Sequence, residues 1–174
     1  MRKKLLVQLI AGSARFGGSP AEILRHVNEQ ICAENRDNVF VTVWMGVLEI
    51  STGRLTCCNA GHENPVIGKA GGTFARVEDH HHLFIGVTSA VVYRDYELRL
   101  SPGDVLFVHT DGVTEATNEK EELFGAERML SALNEHASDT PRELLEAVRK
   151  AALDFTGEAL QFDDLTMLCL RWTG

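Results

Sequence analysis

Two short acidic strings, Thr110-Asp111-Gly112 and Phe162-Asp163-Asp164, hold residue types able to do chemistry. The first directly follows the apolar run 105–109, and the second directly precedes another at 165–172. If those runs are antiparallel neighbouring strands, the end of one lies beside the start of the other. Asp111 and Asp163 then meet at one sheet edge. Two carboxylates that close repel unless they are protonated or bridged by a cation, and a hard divalent ion with oxygen ligands resolves the conflict. Gly112 lets the backbone approach closely there. Taken singly, each string is also an ordinary turn, since Asp-Gly and strand-boundary aspartates are common.

The chain that must position these residues has 174 of them, enough for one domain with a hydrophobic core. Apolar residues make up 44% and charged residues 24%, ordinary for a globular protein and unlike a disordered one. Seventeen basic against twenty-five acidic residues give a net charge of −8. That balance argues against nucleic acid or an anionic membrane surface as partner and is compatible with divalent cations. Cys32, Cys57, Cys58 and Cys169 form no C-x-x-C pair, so they read as small, reduced residues of a cytoplasmic protein.

Arg2, Lys3 and Lys4 precede a short apolar run interrupted by Gln8. It reads as a helix over residues 1–16, with a secretory signal as the lesser reading, and it is too short to cross a membrane. Gly17 and Gly18 break it. Ser19-Pro20-Ala21-Glu22 is a capping box whose helix carries Ile23, Leu24, Val27 and Ile31 on one stripe and ends near Asn35 to Asn38. The middle predicts strands at 39–50, buried on both faces, and at 54–59. A hairpin of 65–69 and 73–77 follows around Gly71-Gly72, then an alternating strand at 90–100 and an apolar strand at 105–109. A helix at 126–136, a second capping box at Thr140-Pro141-Arg142-Glu143 and a closing strand at 165–172 complete an α+β pattern. Asp79-His80-His81-His82 reads as an exposed polar loop between strands, and Glu115, Glu119, Glu121 and Glu122 as a solvated one.

Three strings carry a more specific signal: Val108-His109-Thr110-Asp111-Gly112-Val113-Thr114-Glu115-Ala116, Leu123-Phe124-Gly125, and Gln161-Phe162-Asp163-Asp164-Leu165-Thr166-Met167-Leu168. With Asn59-Ala60-Gly61-His62 before Pro65, and Ser101-Pro102-Gly103-Asp104, their order and spacing resemble the PPM-type serine/threonine phosphatases of the SpoIIE/RsbU kind over residues 19–174. The resemblance implies a four-layer α/β/β/α sandwich of two antiparallel sheets flanked by helices. It implies two manganese or magnesium ions, held by aspartates and activating water for hydrolysis of phosphoserine or phosphothreonine. By position, Asp111 matches the aspartate of the family's T-D-G motif and Asp163 the first aspartate of its D-D-x-T motif, both metal ligands. Gly112, Asp164, Asn59 and His62 would support these ligands or brace their loops. The resemblance also implies a phosphorylated regulatory protein of the anti-sigma-factor-antagonist type as partner, and a sensor or receiver domain upstream.

The family's opening G-D-x-x-D and D-V-x-G-x-G strings have no counterpart, and no aspartate precedes Ser19. The expectation is therefore that 1–174 forms a single but N-terminally truncated phosphatase domain. The competing expectation is a truncated or pseudophosphatase module that binds a partner without catalysis.

Overall fold

A computed structural model of the chain describes residues 17–35, 40–79, 81–159 and 164–174. The helix expected over residues 1–16 lies outside the described residues. The chain divides into two compact units, one running to His62 and joined by Asp79–Arg99, the other made of Glu63–Glu78 and Leu100–Gly174. Among the described residues the first is built on one antiparallel sheet with one helix and the second on one antiparallel sheet with three, an α+β architecture.

The first unit opens with α1, Pro20–Glu34. Ser19 and Glu22 form the reciprocal capping box expected of them, satisfying two amides that a helix start leaves without partners. Ile23, Leu24 and Val27 recur at helical spacing and are buried against Cys58, Ala60, Ile85 and Tyr93. Asn28 lies on the same buried face, and its amide accepts from Gly86 N (2.8 Å) and donates to Thr88 O (2.8 Å). The sheet has the order β1-β2-β5, with β1 at Val43–Glu49, β2 at Arg54–Ala60 and β5 at Tyr96–Arg99.

Two expectations for this unit are corrected. The strand expected over 39–50 is shorter and is not buried on both faces: Val47 is 48% and Ile50 73% exposed. Among the described residues β1 pairs with β2 alone, so β-branched composition marks the strand without saying which faces are covered. The strand expected over 90–100 shrinks to Tyr96–Arg99 because the preceding polar groups bond elsewhere. Arg94 N donates to His82 Nε2, Tyr93 Oη donates to Leu83 O, and Asp95 Oδ1 accepts from Ala21 N at the start of α1.

The second unit carries the sheet β4-β3-β6-β7, antiparallel throughout. Its strands are β3 (Val66–Gly68), β4 (Phe74–Arg76), β6 (Val105–His109) and β7 (Met167–Arg171). β3 and β4 form the hairpin expected around Gly71-Gly72. Helix α2 is the single turn Asp111–Thr114, followed by α3 (Gly125–Glu135) and α4 (Pro141–Thr156). Thr140 and Glu143 make the second capping box. Phe74, Phe107, Phe124, Met129, Leu133, Leu144 and Val148 interdigitate between the sheet and these helices. Asp104 tightens the turn into β6: buried, it accepts from Ser101 N (2.9 Å), Ala70 N (2.9 Å) and Lys69 Nζ (2.8 Å). Burial alone would raise its pKa, but the Lys69 ammonium and the two amides outweigh it and hold the carboxyl below the usual aspartate range.

Candidate functional site

β6 and β7 are antiparallel neighbours in the register that aligns His109 with Met167, so the last residue of one faces the first of the other. Thr110 N continues the ladder by donating to Thr166 O (3.0 Å). The Thr110 hydroxyl lies 3.3 Å from Asp164 O and 3.3 Å from Thr166 N. Asp111 and Asp164 therefore lie beside one end of the sheet. Asp163, the expected second ligand, lies outside the described residues.

Thr110-Asp111-Gly112 is not the turn expected from its composition but the start of α2, anchored by the buried Val113. Asp111 is exposed; its Oδ1 accepts from Gly112 N (3.0 Å), and its Oδ2 has no hydrogen-bond partner among the described residues. An oriented carboxylate with one uncommitted oxygen facing water suits a hard divalent cation. Among the described residues no group of three or more histidines, cysteines or acids converges on one point, so the described residues do not complete a metal site. Asp164 is exposed and enters the arrangement through its carbonyl.

His109, directly before Thr110, is buried, and its Nδ1 lies 3.1 Å from Thr110 O, so Nδ1 carries the proton. Among the described residues its buried Nε2 has no hydrogen-bond partner. Burial pushes the imidazole below its ordinary pKa, outweighing the hydrogen bond to Thr110 and the nearby Glu63 and Asp111 carboxylates.

The other two expected residues belong to the first unit. Asn59 is fully buried: its Oδ1 accepts from His62 N (2.7 Å), and its Nδ2 donates to His62 O (3.0 Å) and to Asp79 Oδ2 (3.0 Å). His62 Nδ1 contacts Thr42 Oγ1 at 3.2 Å. Between them Gly61 has φ +74°, and a Cβ there would lie 2.4 Å from Phe84 Cδ1, so glycine is required on both grounds. Asp79 corrects a further expectation. It is no member of an exposed loop: its side chain is wholly buried and accepts from Tyr96 Oη (2.6 Å), which in turn accepts from Trp44 Nε1 (2.8 Å). No local pattern signalled this hub, because its partners lie 17 to 20 residues away.

Cys57 and Cys58 are disfavoured as nucleophiles by the same burial. It pushes the Cys57 and Cys58 thiols up to about 12, with Asp79 adding to the first and Asp95 to the second. A thiol so raised is a poor source of thiolate.

The sequence-family model of Stage II sporulation protein E (SpoIIE) matches residues 4–173. The chain belongs to the SpoIIE family. Among curated relatives, this SpoIIE-family chain is 29% identical over 170 residues to Protein IcfG of Synechocystis sp. and 25% identical over 157 residues to Phosphoserine phosphatase RsbU of Bacillus subtilis. Those matches cover 97% and 89% of the chain but only 25% and 46% of the relatives' own lengths. Among solved structures, the SiaA-PP2C domain of Pseudomonas aeruginosa superimposes with a TM-score of 0.84 at 23% identity, covering 97% of this chain and 68% of that one. The SpoIIE phosphatase domain of Bacillus subtilis, presoaked with manganese, gives 0.66 at 14% identity, covering 97% and 73%. At such identities these likenesses establish the fold, that of PP2C-like phosphatase domains. Among the described residues no helix is long and apolar enough to cross a membrane.

Proposed function

We propose that this SpoIIE-family chain is the metal-binding part of a PPM-type phosphatase that hydrolyses phosphoserine or phosphothreonine on a regulatory protein, in cytoplasmic partner-switching signalling. The observation that carries this reading is the β6–β7 register, which leaves Asp111 and Asp164 beside one sheet end. Asp111 and Asp163 would hold manganese or magnesium, the hard-cation chemistry their oxygens suit. Such an ion, when bound, supplies positive charge against a phosphate ester and lowers the pKa of water. The chain's own residues orient the ligands: Gly112 N fixes one Asp111 oxygen and leaves the other without a hydrogen-bond partner among the described residues. Asp164 adds carboxylate charge at the same edge, while Asn59 locks the backbone around His62.

Several observations support the choice of substrate class and compartment. The curated relative RsbU is named a phosphoserine phosphatase. The net charge of −8 disfavours nucleic acid. The free cysteines fit a reducing cytoplasm. The test is phosphate release from a phosphoserine peptide with and without manganese. Release that requires manganese and falls at least about a hundredfold in Asp111→Asn is expected from loss of a metal ligand. Full activity in that variant contradicts the assignment.

A further inference from the structure

At the end of the β6–β7 pair away from Asp111, where Val105 faces Arg171, the second unit holds a cavity of about 230 Å³. The β3–β4 turn lines it with Lys69 and Gly71, the turn into β6 with Gly103, the link between α3 and α4 with Ser138, and β7 with Arg171. The two segments beside Asp104 are tied together: Gly103 N donates to Trp172 O (2.7 Å), and Trp172 N to Asp104 O (3.0 Å). Gly71, at φ +67°, has open space where a side chain would stand, so the turn leaves the entrance clear.

The charges around this cavity are unevenly paired. Lys69 Nζ bonds the buried Asp104 carboxylate at 2.8 Å, and those two charges offset each other. The Asp139 carboxylate bonds His136 Nδ1, also at 2.8 Å. Half-buried Arg171 donates through Nη2 to the Asp139 carbonyl, a neutral acceptor, and among the described residues it forms no ion pair. A guanidinium has five N–H donors in a planar fork, and one is used here. A charge partly withdrawn from water without a counter-charge is unfavourable, and an anion in the cavity relieves that.

We propose that this cavity binds a phosphate group, as the free ion or as a small phosphomonoester, with Arg171 as its main contact and Lys69 and Ser138 at its rim. The guanidinium fork matches a pair of oxygens on phosphate or carboxylate. The exposed Ser138 hydroxyl and the Lys69 N–H groups not spent on Asp104 add donors, and phosphate offers them an oxygen that a carboxylate lacks. The volume lies below the range of about 300–1,000 Å³ usual for drug-sized ligands, so it suits a phosphate group and not a whole nucleotide. The proposal is independent of the metal reading at the other end of the strands.

Inorganic phosphate and, separately, O-phosphoserine are titrated into the isotope-labelled full chain, without metal and at an ionic strength held constant with chloride, and amide shifts are followed by NMR. Saturable shifts at Gly71, Ser138 and Arg171 are expected for at least one probe, with Val113 unmoved. Saturation by phosphate assigns the cavity to the free ion, and saturation by phosphoserine alone assigns it to a phosphorylated side chain; both uphold the proposal. Arg171→Gln keeps a side-chain N–H for the Asp139 carbonyl but removes the charge, and weakens binding at least about tenfold, the scale of a charge-assisted hydrogen bond. Ser138→Ala, at an exposed position, weakens it about threefold. Saturation by neither probe, shifts scattered over the chain, or wild-type affinity in a folded Arg171→Gln chain overturns the proposal. Where that variant does not fold, wild-type affinity in Ser138→Ala overturns it.

Discussion

Asn59→Asp replaces one buried atom, Nδ2, by oxygen and leaves the shape intact. In the native chain Nδ2 donates to His62 O and to Asp79 Oδ2, each at 3.0 Å. The variant sets an oxygen against two acceptors, one of them a carboxylate whose side chain is wholly buried. Losing one neutral and one charge-assisted hydrogen bond costs about 3 kcal/mol. The chain escapes further repulsion by taking up a proton, since the new carboxyl, once protonated, can again donate to Asp79. Protonating a carboxyl of ordinary pKa, about 3.9, at pH 7 costs about 4 kcal/mol, which caps the loss. The folded-state pKa of the new carboxyl pair is thus raised above its unfolded value. Its contribution is complete below the unfolded pKa and is lost as pH rises, so the deficit shrinks by about 1.4 kcal/mol per unit from pH 7 to pH 5. Thermal unfolding of wild type and variant at pH 7, 6 and 5 measures it, with a fall in Tm of roughly 6–16 °C at pH 7. Adding Asp79→Asn removes the second carboxylate and flattens the slope. A deficit independent of pH, or below about 1 kcal/mol at pH 7, refutes the assignment of Asn59 as donor to a buried carboxylate.

Gly61→Ala forces a side chain into φ +74° and against Phe84, and lowers stability by about 1–3 kcal/mol in chemical denaturation. An unchanged midpoint contradicts the close approach. Asp104, with its pKa depressed in the folded chain, contributes stability that is present above the unfolded aspartate value and lost as pH falls through its lower folded value. Asp104→Asn should therefore flatten the acid limb of stability below about pH 4, and it costs about 2 kcal/mol at neutral pH by setting an NH2 against a buried amide donor. Most of that cost is assigned to the amides, because Lys69 is 58% exposed and its ion pair is screened. A variant with the wild-type acid limb sinks this account of the turn.

What sequence made legible was local or periodic. Ser19 with Glu22 and Thr140 with Glu143 announce helix starts because both partners lie within one turn. The apolar runs of β6 and β7 announce strands, whereas their antiparallel pairing is a supposition at the level of sequence that the register bears out. What failed depended on distant partners. The alternation over 90–100 promised a full strand, but Arg94 and Asp95 are drawn to His82 and α1. Asp79 was misread as solvated because three neighbouring histidines suggested a polar loop, whereas Asn59 and Tyr96 bury it. Thr110 gives no local cue to its bonds, since its hydroxyl reaches groups 54 to 56 residues away.

The central claim is that the ends of β6 and β7 present carboxylates to one cation. Calorimetric titration of manganese into wild type, Asp111→Asn and Asp163→Asn, each checked for unchanged Tm, tests it most directly. The account predicts binding in the wild type that either substitution weakens at least about tenfold, on the order of the loss for a charged oxygen ligand. Wild-type affinity retained in both variants would contradict it.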